Sequence, residues 1–132
     1  MSINRIGIWL CLLLGSVTAV ACRHTPDTGT ADLTITLISS PTPTLADTTL
    51  ILSLLDGQGQ PVDDAQLEVR GDMTHAGMTP ILGTAVAGQD GQYTIPFPWS
   101  MAGDWILTIR ATMPDGSWRE QQINLRVAEP KP

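Results

Sequence analysis

"LTITLIS", Leu33–Ser39, decides the fold. Leu33, Ile35 and Leu37 are apolar, and Thr34 and Thr36 between them are polar. A period of two places the apolar set on one face of an extended segment, as in a half-buried strand. Working outward, "PTPT" (Pro41–Thr44) stops the segment, and "TTLILSLLD" (Thr48–Asp56) begins a second strand. "GQGQPVDD" (Gly57–Asp64) is turn chemistry before "AQLEVR" (Ala65–Arg70). After "GDMTHAGMTP" (Gly71–Pro80) come "ILGTAVA" (Ile81–Ala87), the turn "GQDG", and "QYTIPF" (Gln92–Phe97). "PWSMAG" (Pro98–Gly103) leads to "DWILTIRAT" (Asp104–Thr112), the turn "MPDGS", and "WREQQINLRV" (Trp118–Val127).

This spacing predicts about seven short strands at roughly 8–12-residue intervals, the sign of an all-β antiparallel sandwich. No segment carries a helical stripe, and no strand–helix alternation suggests a parallel sheet. The expected core is Leu52, Leu54, Leu67, Val69, Tyr93, Ile95, Trp105, Leu107 and Ile109. The pattern leaves Phe97, Trp99 and Trp118 open.

The first residues read differently. Arg5 precedes the apolar run "IGIWLCLLLGSVTAV" (Ile6–Val20), and "TAVAC" ends in small residues before Cys22. That is the pattern of an export signal, and the run is short for a spanning helix. Ala19-Val20-Ala21-Cys22 resembles a bacterial lipobox, in which the cysteine becomes the lipidated first residue; the pattern prefers Leu where Ala19 stands. The alternative is a soluble secreted protein whose cysteine is incidental. The expected organisation is a lipoprotein signal peptide over 1–21, then a flexible tether over 22–32 with lipidated Cys22. A sandwich follows over 33–128, and a tail over 129–132. The expected location is extracytoplasmic, at a cell membrane or outer membrane, with the membrane as partner through the lipid on Cys22.

Composition narrows function. The only cysteines are Cys11, inside the signal, and Cys22, so the exported domain has neither a disulfide nor a free thiol. A net charge of −6 with scattered arginines is a poor basis for binding nucleic acid. No serine sits in a glycine-flanked nucleophile elbow, and no glycine-rich phosphate loop precedes a helix. Outside the tether, His75 is the sole candidate general base, with no serine or cysteine close in sequence. An enzyme is not expected. Asp63 and Asp64 lie in a turn, where solvated carboxylates are commoner than Ca²⁺ ligands.

The unusual chemistry lies in "GDMTHAGMTP". If every strand reverses the last, this connection shares one end of the sandwich with "PWSMAG". Met73, His75 and Met78 then have Met101 as a neighbour. Met73 and His75, two apart, face the same way if the segment is extended. Neutral thioethers with an imidazole suit Cu(I) better than Zn²⁺, Mg²⁺ or Ca²⁺. They also need no thiol in an oxidising compartment. Asp72 and Asp104 flank the two connections and are placed to accept a ligand histidine's second N–H. A plainer reading has Met73 and Met78 filling gaps at the edge of the core, with His75 an ordinary surface residue.

Three stretches together resemble the YtkA-like and FixH-like family. They are "DGQGQPVDDAQLEV" (Asp56–Val69), "GDMTHAGMTP", and "GQYTIPFPWSMAGDWILTIRA" (Gly91–Ala111). The resemblance covers about Leu33 to Val127. It implies an exported or membrane-anchored immunoglobulin-like sandwich, associated with copper handling or cytochrome oxidase assembly. Carried over by position, the implied copper ligands are Met73, His75, Met78 and Met101. FixH-like chains carry a transmembrane anchor where this one has a lipobox, which favours the YtkA-like branch. Many relatives have more than one histidine in the loop, and here only His75 stands there. Two expectations follow. One is a lipid-anchored domain that binds Cu(I) and exchanges it with a partner protein. The other is a metal-free interaction or accessory module of an envelope transporter or assembly complex, its contact lip made of Met73, Met78, Pro80, Trp99 and Met101.

Overall fold

A computed structural model describes residues 28–132. The signal peptide over 1–21 and Cys22 lie outside the described residues. Eight strands follow in order: β1 Thr28–Gly29, β2 Leu33–Leu37, β3 Thr49–Asp56, β4 Gln66–Met73, β5 Ile81–Ala85, β6 Gln92–Pro96, β7 Gly103–Thr112 and β8 Trp118–Val127. They form two antiparallel sheets, one ordered β1-β8-β7-β4-β5 and the other β2-β3-β6. The described residues contain no helix. All seven strands expected from the alternation are present, and β-sandwich packing is the result.

The period of two builds the core directly. In β4, Leu67, Val69 and Met73 turn inward while Gln66, Glu68 and Arg70 turn out. In β7 the inward set is Trp105, Leu107, Ile109 and Ala111. The three-stranded sheet adds Leu33, Ile35, Leu50, Leu52, Leu54, Tyr93 and Ile95. All nine expected core residues are buried, and each side chain removed from water supplies roughly 1.5–3 kcal/mol of gross hydrophobic stabilisation. Phe97 and Trp99 join them; Trp118 does not. Its indole lies on the outer side of the five-stranded sheet, with the Arg110 guanidinium 4.1 Å from its ring centroid.

Two glycines make room where the sheets close. A Cβ on Gly71 would lie 2.7 Å from Cζ of Phe97, and one on Gly83 would lie 2.6 Å from Cγ2 of Ile95. The Phe97 ring therefore sits over bare backbone of β4 and β5.

Of the tether expected over 22–32, residues 22–27 lie outside the described residues, and residues 28–31 are bound to the sheet. Thr28 and Gly29 pair with Glu120 and Arg119 of β8, and the Thr30 and Ala31 N–H groups both donate to the Trp118 carbonyl. Gly29 comes so close to the Trp118 carbonyl that no Cβ fits there.

Candidate functional site

Because the strands alternate in direction, three connections meet at one end of the sandwich. These are 38–48, 74–80 and 97–102. Backbone hydrogen bonds tie them together. The Thr74 N–H donates to the Asp104 carbonyl at 3.1 Å, which couples the end of β4 to the start of β7. Phe97 N–H donates to the Thr48 carbonyl at 2.8 Å, and Ala128 N–H to that of Pro43 at 2.8 Å. Met73 pairs with Trp105 in the β4–β7 register. The expected neighbourhood of Met101 with the methionine-histidine loop is therefore what the fold builds.

Within that neighbourhood the four candidate ligands divide. Met73 ends the inward set of β4 and is only 8% exposed. Its Cε methyl lies 3.0 Å from where a Cβ on Gly103 would sit, under the β6–β7 connection. His75 is exposed, as are Met78 at 37% and Met101 at 46%. Met73 and His75 thus do not share a face. Strand geometry stops at Met73, so the two-residue parity that links them ends there. For Met73 the gap-filling reading describes its place; His75, Met78 and Met101 remain open to solvent.

The aspartates expected behind His75 have other partners. Asp72 receives two hydrogen bonds from the Arg70 guanidinium, at 2.8 and 2.9 Å. Asp104 receives one from Arg126 at 3.1 Å. Both pairs are solvent-exposed.

Beneath the connections lies an aromatic floor. Phe97 packs edge-on against Trp99 with centroids 5.0 Å apart, and Trp99 packs edge-on against Trp105 at 5.4 Å. Such pairs add about 0.5–1.5 kcal/mol each beyond burial. The Trp105 Nε1–H donates to the Met101 carbonyl at 3.1 Å. Trp99 Nε1 is buried with no hydrogen-bond acceptor among the described residues. A signal for Trp99 is present in the sequence. The alternation of β6 runs past the strand end, with Tyr93, Ile95, Phe97 and Trp99 all inward.

The opposite end has a structural role for its polar groups. Asp63 Oδ1 accepts from the Gly91 N–H at 2.6 Å, joining the 57–65 and 86–91 connections. The Tyr93 hydroxyl donates to the Val62 carbonyl at 2.9 Å and accepts from the Ala65 N–H at 3.1 Å. Burial pushes its pKa upward, and the nearby Asp63 and Asp64 charges add to that, against an opposing backbone hydrogen bond from Ala65.

Among the described residues no three His, Cys, Asp or Glu side chains gather as a metal-binding group. A metal at the 74–80 pole would therefore depend on thioethers beside the single imidazole. That donor set fits a soft monovalent ion and does not fit a hard divalent one. The family model described as YtkA-like matches residues 27–110. Neither the curated proteins nor the solved structures contain a significant match.

Proposed function

We propose, on the premise that this chain belongs to the YtkA-like family, that it is a lipid-anchored extracytoplasmic domain whose cargo is Cu(I). The ligands in this reading are His75, Met78 and Met101, with Met73 as a thioether reaching the site from the core side. One observation carries it. The three exposed soft or borderline donors stand on two connections that the Thr74–Asp104 hydrogen bond holds at one end of the sandwich. Cu(I) bound there would be exchanged one ligand at a time, because neutral thioethers release it without a proton.

The test is a Cu(I) titration against a competing chelator, using the chain from Cys22 onward with Cys22→Ser to remove the thiol. His75→Ala, Met78→Ala and Met101→Ala are each expected to weaken binding about tenfold or more, as the loss of one ligand of three or four. If the triple variant binds Cu(I) as tightly as the parent, the assignment is wrong.

A second reading, a metal-free interaction module, has its own observation. Ile38 is 48% exposed and stands at the same end as Met78 and Met101, so each of the three connections there carries an exposed apolar side chain. Trp99 is buried and drops out of that contact surface. A partner that binds equally well with and without copper, and is lost with Ile38→Asp, favours this reading.

A further inference from the structure

β5 forms one edge of the five-stranded sheet, with β4 on one side and no strand on the other. Beyond the pairing with β4, no backbone hydrogen bond among the described residues joins 81–87 to another segment. A row of unpaired N–H and C=O groups is therefore open along it, a template for one more strand. Proteins commonly blunt such an edge with charge or proline. Ile81 to Gln89 has neither.

The side chains at this edge are apolar instead. Leu82 is 69% exposed, and Val86, just past the strand, is 74% exposed; they are the two most exposed large apolar residues among those described. The other free edges differ. β1 is two residues long, β6 contains Pro96, which has no N–H to donate, and β2 turns Thr34 and Thr36 outward.

The pattern at β5 matches itself. Exposed Thr84 lies midway between Leu82 and Val86. When two β5 edges pair antiparallel about Thr84, each Thr84 faces its own copy and each Leu82 faces Val86 of the second copy. Opposed threonines hydrogen-bond, and opposed apolar side chains shield each other from water. A two-fold interface needs a surface that complements itself in this way.

Charge permits the pairing. A net charge of −6 keeps copies apart in general. Next in the sheet, Glu68 and Arg70 of β4 stand opposite Thr84 and Leu82. Across two paired β5 strands, Glu68 and its copy are three strand spacings apart, about 14 Å, beyond the Debye length of roughly 8 Å at physiological salt. The like charges nearest the join are thus screened from each other.

From this edge we infer that the chain's partner at β5 is a second copy of itself, the two five-stranded sheets joining into one of ten strands. One short strand from each copy makes a contact at the low end of interface sizes, below about 1,200 Å², so the dimer is reversible. It is independent of copper. The methionine-histidine connection leads into Ile81, so antiparallel pairing points the two poles in opposite directions. Neither copy lends a ligand to the other's pole.

The experiment uses the chain from residue 22 onward with Cys22→Ser. Equilibrium sedimentation from about 10 µM to about 1 mM should pass from monomer to dimer, the range that an interface of this size sets. Leu82→Lys should leave the urea midpoint unchanged and weaken association about tenfold or more, because it places a charge on the edge. A monomer mass throughout, or a dimer that Leu82→Lys leaves intact, overturns the inference. Oxidative cross-linking reads the register. Thr84→Cys puts two thiols on directly opposed residues with Cα atoms about 4.5–5.5 Å apart, within disulfide reach. It should cross-link about tenfold faster than Thr36→Cys in β2 or Thr94→Cys in β6, exposed positions on the edges of the other sheet. Equal rates at the three positions, or a faster rate at either control, overturn the β5 pairing.

Discussion

The Trp105 indole donates its N–H to the Met101 carbonyl at 3.1 Å, four residues back along the chain. One side chain thus belongs to two parts of the molecule. Its ring is 1% exposed and packs against Trp99 in the core, while its polar edge holds the backbone from which Met101 projects. Stability of the core and placement of an exposed thioether are coupled through this single residue.

Trp105→Phe separates the two roles. Phenylalanine keeps an aromatic body in the core but leaves a small cavity and an unpaired carbonyl. The expected loss is about 2–3 kcal/mol in urea unfolding at neutral pH, combining partial cavity and hydrogen-bond terms. If the 97–102 connection then loosens, amide hydrogen exchange at Ala102 and Gly103 rises more than exchange in β3. A uniform rise throughout the sandwich would refute the coupling.

The methionines should divide in stability as they do in burial. Met73→Ala removes a side chain from the core and is expected to cost about 2–4 kcal/mol. Met78→Ala and Met101→Ala, at exposed positions, should remain within about 0.5 kcal/mol of the parent. Denaturant midpoints at constant slope read this directly. A Met73→Ala variant as stable as Met101→Ala would show that Met73 does not pack as described.

The alternation that opened the reading carried most of the fold, because a strand with one buried face writes its burial into every second residue. Leu67, Val69, Trp105, Leu107 and Ile109 are inward for that reason alone. The same rule misplaced His75 relative to Met73. Parity holds only while the backbone stays extended; the strand read as ending at Arg70 runs on to Met73 and stops there, short of His75. Gly29 and Gly71 were illegible for a different cause. A glycine required by close approach looks in sequence like one required by a turn, and only the neighbour across the sheet distinguishes them. Asp72 and Asp104 were read as support for His75, but arginines two and twenty-two residues away take their carboxylates. The first lies next in line on the same strand face; the second depends on the β7–β8 register.

Gly71→Ala should disturb the pole from below. The added methyl meets Cζ of Phe97 at 2.7 Å, and Leu107 Cδ2 at 3.3 Å limits movement on the other side. Phe97 is fully buried, hemmed in by Trp99 and by the β5 backbone at Gly83, so relief must displace the aromatic floor. Overpacking of this kind costs about 1–3 kcal/mol. The near-ultraviolet circular dichroism of the tryptophans should change with it. A variant of unchanged stability and unchanged tryptophan spectrum would mean that Phe97 moves freely.

Tyr93 yields a prediction with a definite pH direction. Its hydroxyl bridges the Val62 carbonyl and the Ala65 N–H inside the domain, and burial holds its pKa above the ordinary value near 10. The folded state therefore favours the protonated phenol. That contribution is fully present below about pH 10 and is lost as pH rises from there toward the folded-state value, because the unfolded chain releases the proton first. Tyr93→Phe removes the titration and strands both backbone groups, for a loss of about 1–3 kcal/mol at neutral pH. Urea unfolding at pH 8 and pH 11 should show the parent losing more stability than the variant over that interval, so the gap between them narrows. A gap that stays constant or widens with pH would mean the hydroxyl is not held protonated by the fold.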